Sequence, residues 1–440
     1  MSERMGKQID QTDPVKKIEL AEQIRPVDRV ERIERPRGTR DFLPEEMEKR
    51  RAIEARFREI AENYGYREIA TPTFEHLELF TLKSGDEIVE EIYAFKDKSG
   101  RDLALRPELT APAMRLFVNE CSVMPRPLRF YYFGNCFRYE RPQKGRYREF
   151  WQFGVELIGS DRVEADAEVI ILAYRMLKDL NIQFDLQIGH VGILRSILRD
   201  IPEEKSSRIM RLIDKRDSEG LASYMDEEGI PDDVQEKVFR VSALHGSRDV
   251  LTEAEGLTDQ DNLEYLQNLC DILDFIGVEY TINLGIARGL DYYTGMVFEI
   301  YAEGLGAQKQ ICGGGRYRLT HLFGGEDVPS TGFAIGFDRV VEICRMDIPR
   351  KKLVVIISFP DTLKESLKVA EKLRSAGLRV VSDVMGRNIR KQLSHASDIG
   401  ADYAIIVGRK EIEEGVVGVK NLNTGIQRSV AINELTEYLV

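Results

Sequence analysis

The chain has 440 residues, of which 42% are apolar and 31% charged, with a formal net charge of −12. That length points to two or three domains, and the balance of residue types is that of a soluble globular protein. It argues against a membrane protein, because no run of about 18 apolar residues occurs, and against secretion, because MSERMGKQID has no apolar stretch of the signal type. The five cysteines (Cys121, Cys136, Cys270, Cys312 and Cys344) are scattered and lack CxxC spacing. They argue against a disulfide framework or a zinc site and fit a reducing cytoplasm. The acidic balance does not itself suggest a nucleic-acid partner. A local basic patch can still hold a polyanion, because salt screens distant charge within roughly 10 Å.

Residues 1–36 are charge-rich, show little apolar periodicity and read as a solvated extension ending at Pro36. Pro44 then opens a helix with Ile53, Phe57, Ile60 and Tyr64 on one face and Gly65 at its end. A strand is expected over 66–71, broken by Pro72. Next, RPELT (106–110) links a strand, DLALR, to a helical stretch, APAMRLF.

The segment RFYYFGNCFRYE (129–140) reads as a strand, RPQKGRYR (141–148) as a basic loop, and EFWQFGVELIG (149–159) as a second strand. Strand side chains alternate faces. Trp151, Phe153, Val155 and Leu157 therefore share a face that must be buried, while Gln152, Gly154 and Glu156 share the other. By the same rule Gly134, Cys136, Arg138 and Glu140 lie together. A solvated face of Arg, Gln and Glu would be an ordinary alternative. The glycines point instead to something approaching the backbone, and Arg141, Lys144, Arg146 and Arg148 form a loop suited to phosphates.

A helix is expected over 164–181, and the charged, helix-forming stretch 193–258 reads as an insertion. Strands return at 279–284 and 296–302. Between them lies RGLDYYTG (288–295), where Gly289 and Gly295 permit a tight backbone path. GGGRY (313–317) follows QKQIC, and GFAIGFDR (332–339) runs from an alternating strand into a helix. Beyond Arg350, LVVIIS, LRVVS and YAIIVG alternate with amphipathic stretches, the pattern of a small parallel α/β domain over 351–440. His76, His190, His245, His321 and His395 have no ligand spacing, and none is assigned to chemistry.

FRYE, the basic loop and QFGVELIG together resemble motif 2 of class II aminoacyl-tRNA synthetases in its histidyl form. RGLDYYTG matches the histidyl-specific string, and GFAIGFDR looks like motif 3. The resemblance spans roughly 37–440 and implies an α+β fold. Its parts would be a class II catalytic core on an antiparallel sheet (37–345), the helical insertion at 193–258, and an α/β anticodon-binding domain at 351–440. It implies ATP-dependent activation of L-histidine and transfer to tRNA(His), with Mg²⁺ on the phosphates, in a cytoplasmic homodimer whose interface is built near Pro72.

By that resemblance Arg138 bridges the histidine carboxylate and the α-phosphate, and Arg288 contacts the α-phosphate; these two are the catalytic arginines. Glu140, Arg146 and Arg339 join Arg138 on ATP. Glu108, Leu109, Thr110 and Gln152 bind the amino group, with Leu109 standing where bacterial members commonly have glycine. Glu156, Tyr292 and Tyr293 form the imidazole pocket beside Arg288, and Gln143 reaches the tRNA acceptor end. The family usually continues GGGRY with Asp-Gly, whereas this chain has Arg318 and Leu319. Arg387, Arg390 and Lys391 suit either tRNA contact or a solvated helix face. The alternatives are a synthetase-like regulatory subunit of ATP phosphoribosyltransferase and a sensor of uncharged tRNA. The retained arginines and the C-terminal α/β stretch favour the ligase.

Overall fold

The computed structural model describes residues 32–84, 86–139, 147–287, 292–306, 309–346 and 350–439. Most of the expected N-terminal extension, the basic loop 140–146 and residues 288–291 lie outside that set. The chain forms two compact units, Met1–Met346 and Asp347–Val440.

In the first unit, α1 (Pro44–Asn63) starts with proline in its first turn and Glu45 and Glu46 beside it, which suits the free amides and positive end of a helix. It buries Ile53, Phe57 and Ile60 and gives way at Gly65, whose φ of +81° favours glycine. The following strand, β1 (Arg67–Glu68), is shorter than expected. Ile69 still donates to the Tyr131 carbonyl at 2.9 Å, but the carbonyls of Thr71 and Pro72 are taken by the Arg106 guanidinium. The chain therefore leaves the ladder there. Strands β2 (Phe74–His76), β3 (Ala94–Lys96) and β4 (Asp102–Leu105) make a small sheet in the order β2-β4-β3, and helix α2 (Thr110–Leu116) follows.

The described residues then build a nine-stranded sheet in the order β1-β5-β6-β12-β11-β10-β7-β9-β8. Its strands are β5 (Leu128–Phe137), β6 (Glu149–Ile158), β7 (Phe184–His190), β8 (His245–Gly246), β9 (Thr281–Asn283), β10 (Tyr293–Ala302), β11 (Gln310–Tyr317) and β12 (Ser330–Gly336). From β5 through β7 every neighbouring pair is antiparallel. The back of the sheet is closed by α1 and α3 (Val163–Asp179). Phe57 of α1 meets Phe153 edge-on, with ring centroids 5.4 Å apart, and Tyr131 stacks on Phe153 at 5.5 Å. Burying such side chains is worth about 1.5–3 kcal/mol each.

The charged stretch after β7 forms α4 (Val191–Ile197), α5 (Glu203–Asp214), α6 (Ser218–Glu227) and α7 (Asp232–Ser242), and α8 (Gln260–Ile276) then packs on α3. The buried carboxylate of Asp166 on α3 accepts bonds from Arg316 Nε on β11 (3.0 Å) and the Tyr265 hydroxyl on α8. The arginine of GGGRY thus braces the sheet to these helices. His190 is buried, and its Nδ1 accepts the Gly192 N–H at 3.2 Å. Burial, helped by Arg316 and Arg195, pushes its pKa down to about 4, so it caps α4 as a neutral ring. The unit ends with α9 (Phe337–Ile343), which continues directly from β12.

In the second unit, β13 (Leu353–Ser358), α10 (Leu363–Ser375), β14 (Arg379–Ser382), α11 (Ile389–Asp398) and β15 (Tyr403–Val407) alternate, with both strand pairs parallel. Two further strands, β16 (Val416–Asn421) and β17 (Gln427–Ala431), extend the sheet antiparallel in the order β14-β13-β15-β16-β17. Neither strand is expected from the apolar patterning of 351–440. Their turn is set by Asn421, whose side chain accepts the N–H groups of Asn423 and Thr424 at 2.9 Å, and by Gly425 at φ +75°.

Candidate active site

The front of the large sheet carries a cavity of about 360 Å³ between β6, β10, β11, β12, Arg138 just after β5, and the turn before α2. Of the residues singled out from sequence, Glu108, Thr110, Arg138, Gln152, Glu156, Tyr292, Tyr293 and Arg339 line it. Leu109 does not. Its side chain is 3% exposed and packs in the core, leaving only its backbone beside the turn. Arg288, Glu140, Gln143 and Arg146 fall outside the described residues.

At one end sits a buried carboxylate. Glu156 is 1% exposed. Its Oε1 accepts the Tyr132 hydroxyl at 2.9 Å and its Oε2 accepts the Tyr317 hydroxyl. Burial raises its pKa to about 7, against the lowering effect of those hydroxyls. Both tyrosines are pushed above the ordinary phenol range by burial and by the carboxylate. Because each carboxylate oxygen has two acceptor sites, Glu156 keeps acceptor capacity for a donor from the cavity. Tyr292 and Tyr293 lie with ring centroids 4.6 Å apart, and both meet Tyr317 edge-on. The Tyr293 carbonyl accepts Arg195 Nη1 at 2.7 Å, which ties the tyrosine pair to α4.

Two glycines make room for this group. A Cβ on Gly332 would stand 2.0 Å from Glu156 Oε2, and one on Gly154 would stand 2.5 Å from the Tyr132 ring and hydroxyl. Each is the cross-strand partner of the residue it admits. The space above Gly154, expected to admit something from outside, is filled by a neighbouring strand's own tyrosine. Glu156 and Gly154 are accordingly buried rather than an open floor.

Beside this end, Glu108 accepts the backbone N–H groups of Thr110 (2.6 Å) and Ala111 (3.1 Å), which fixes its carboxylate at the start of α2. Thr110 Oγ1 lies 3.4 Å from the Tyr132 hydroxyl. Gln152 Oε1 accepts the buried Cys136 thiol at 3.3 Å. Arg106 does not face the cavity. It staples the strands by donating to Asn135 O at 2.8 Å and to Thr71 O, in space kept open by Gly134.

The other end is cationic. Arg138 donates Nε to Pro107 O at 3.0 Å and lies 5.2 Å from the Phe150 ring centroid. Arg339, on the first turn of α9, donates Nη1 to the Gln310 carbonyl. Both guanidinium groups thus donate to backbone carbonyls, which set their direction. A cavity with a proton-accepting carboxylate at one end and oriented guanidinium groups at the other suits a ligand with a polar ring at one end and anionic oxygens at the other.

Tyr132, Tyr147, Tyr317, Gly332 and Asp338 stand within the strings singled out in the sequence, but no individual role is legible for them there. The signal for two of them, Tyr132 and Gly332, is strand register. Once β5, β6 and β12 are paired, Tyr132 falls opposite Gly154 and Glu156 opposite Gly332.

Comparison with known proteins gives a consistent result. The histidyl-tRNA synthetase family model matches residues 38–340, and an anticodon-binding domain model matches 352–440. The histidine–tRNA ligase of Archaeoglobus fulgidus is 62% identical over 408 residues, covering 93% of this chain and all of that relative. That of Methanosarcina acetivorans is 52% identical, covering 92% of this chain and 98% of its own. Among solved structures, the histidyl-tRNA synthetase of Nostoc superposes with a TM-score of 0.78 at 26% identity, over 93% of this chain and 99% of that one.

Proposed function

Since this chain belongs to the histidyl-tRNA synthetase family, we propose that it is a histidine–tRNA ligase, which activates L-histidine with ATP and passes it to tRNA(His). The observation that carries the residue assignment is that Glu156, Arg138 and Arg339 line one cavity. In the first step a histidine carboxylate oxygen attacks the α-phosphorus of ATP. A new carboxyl–phosphate bond forms as the bond to pyrophosphate breaks, giving histidyl-adenylate. In the second step a terminal ribose hydroxyl of the tRNA attacks the adenylate carbonyl and AMP leaves.

The chemistry brings two anions together and asks for positioning and fixed positive charge rather than a side-chain nucleophile. Arg138 sits between the two reactants and joins histidine carboxylate to α-phosphate. Arg339 holds the nucleotide. Arg288, Glu140 and Arg146 complete that half, and Gln143 meets the acceptor end of the tRNA. Glu108, Thr110 and Gln152 take the ammonium group of histidine, with the Leu109 backbone alongside. Glu156 accepts the imidazole N–H, with Tyr292 and Tyr293 enclosing the ring. A site that pairs ring nitrogens in this way rejects analogues lacking them by about 10⁴ or more.

Among the described residues no group of three or more His, Cys, Asp or Glu side chains is placed to hold a metal ion. Mg²⁺, which the family resemblance implies, is assigned to the ATP phosphates as part of the nucleotide substrate. The enzyme works as a homodimer in the cytoplasm in this reading, and the five free cysteines agree with that compartment. The C-terminal unit serves the anticodon end of the tRNA, with Arg390 and Lys391 exposed on α11 and Arg387 paired to Asp383 at 2.7 Å. The match over 352–440 favours the ligase over a regulatory subunit of ATP phosphoribosyltransferase. The test is ATP–pyrophosphate exchange by the purified chain with each amino acid in turn. Exchange with histidine alone is expected, and no exchange with histidine by folded protein would overturn the assignment.

A further inference from the structure

We propose that residues 38–42, and Arg40 above all, form a strap that positions the ATP half of the cavity, acting as a positioning element rather than touching the nucleotide. The inference rests on the ligase reading and extends it to a segment that no motif of the sequence reading included.

The strap begins at a turn in which the Thr39 hydroxyl donates to Pro36 O at 2.7 Å. Gly38 has a φ of +87°, a conformation that favours glycine. Its carbonyl accepts the Arg148 N–H at 2.8 Å, while the Arg148 carbonyl accepts the Arg138 N–H at 2.9 Å. One backbone bond from the strap therefore fixes the residue that pairs with Arg138, at the root of the loop that spans 140–146.

Arg40 extends the hold to the other ATP-facing element. Its Nη2 donates to Asp338 Oδ1 at 2.7 Å, and its guanidinium lies 3.8 Å from the centroid of the Tyr147 ring. Tyr147 lines the cavity, and Asp338 immediately precedes Arg339. The Asp338 carboxylate also receives Arg50 Nη1 at 2.6 Å and the Trp151 N–H at 2.6 Å on its second oxygen. Arg50 in turn lies over Phe42 at 4.1 Å. The strap thus connects the C-terminal root of the loop, the start of β6 and the first turn of α9. Those elements carry Arg339 and, through the Arg148 carbonyl, hold the backbone of Arg138, whereas Glu156, Tyr132 and Tyr317 make no contact with the strap in any of these bonds. Errors of about an ångström in such positioning are costly to catalysis.

The prediction is therefore selective. Arg40→Ala should weaken ATP binding about tenfold, both as KM in histidine-dependent exchange and as Kd by calorimetry on the full-length protein. Histidine Kd should stay within about twofold. Arg40→Lys, which keeps a charge for Asp338 but cannot stack as a planar group on Tyr147, should restore part of the loss. The strap is refuted if ATP Kd is unchanged in Arg40→Ala. It is equally refuted if ATP and histidine weaken together with a fall in Tm, since that would give Arg40 a role in general stability. Should the unaltered protein bind ATP but fail to exchange, the ligase reading falls while the ATP Kd comparison still judges the strap.

Discussion

The two ends of the cavity are built on opposite plans. At the carboxylate end, Glu156 is enclosed by the strands, engaged by two tyrosine hydroxyls, and given its space by Gly332 on the neighbouring strand. At the cationic end, Arg138 and Arg339 each donate to a backbone carbonyl, and part of the lining lies between strands rather than on them. The difference teaches how one site divides its work. Discrimination between amino acids needs a polar group that water cannot reach, because an unpaired partner there is costly. Phosphoryl transfer needs charge that can be brought to a bulky anion and released again.

The sharpest way to break this comparison is to remove charge from the cationic end. Arg138→Ala should lower histidine-dependent exchange by about 10²–10³, roughly 3–4 kcal/mol of transition-state stabilisation, while histidine Kd, which loses only the carboxylate contact, weakens by no more than about tenfold. Equal losses in both quantities would erase the division between the ends.

A second test uses pH. The folded pKa of Glu156 is raised to about 7 from an ordinary 4.5. The stability linked to that proton is therefore fully present below about 4.5 and lost as pH rises through 7. Relative to Glu156→Gln, which cannot ionise, the unaltered protein should lose up to about 3 kcal/mol between pH 5 and 8. Denaturant unfolding of both proteins across that range measures it. A constant difference would show that the carboxylate is not desolvated.

Gly332→Ala tests the space itself. A Cβ 2.0 Å from Glu156 Oε2 must displace the carboxylate or the strand, so a loss of about 1–3 kcal/mol is expected, together with weaker histidine binding and little change for ATP. Smallest is Tyr317→Phe, which removes one of the two hydroxyl donors. It should cost about 1–2 kcal/mol and move the Glu156 titration to higher pH, as followed by the pH dependence of unfolding.

Much of this was legible in the sequence, and the gaps have physical causes. Local signals carried α1 from Pro44 to Gly65, the hairpin β5–β6 and the three parallel strands of the second unit, because periodicity and helix caps act within a few residues. Alternation placed Gln152 and Glu156 on one face correctly. It could not say that Tyr132 would fill the gap above Gly154, since that depends on the register between the two strands of the hairpin. The same limit hid Tyr317, which reaches Glu156 from β11 across the intervening β12. Arg316 looked like part of a glycine-rich string beside the cavity, yet alternation along β11 sends it to Asp166 on the back of the sheet. Hairpin β16–β17 carried a usable turn signal in Asn-Thr-Gly (423–425), and its short, half-polar strands masked it.

The account depends most directly on the independence of the two ends within one cavity. Calorimetric titration of Glu156→Ala with histidine and, separately, with ATP puts this to the test. Histidine affinity should fall by about 100-fold or more while ATP affinity stays within about twofold. Unchanged histidine affinity in a folded variant would contradict the placement of the imidazole against this carboxylate.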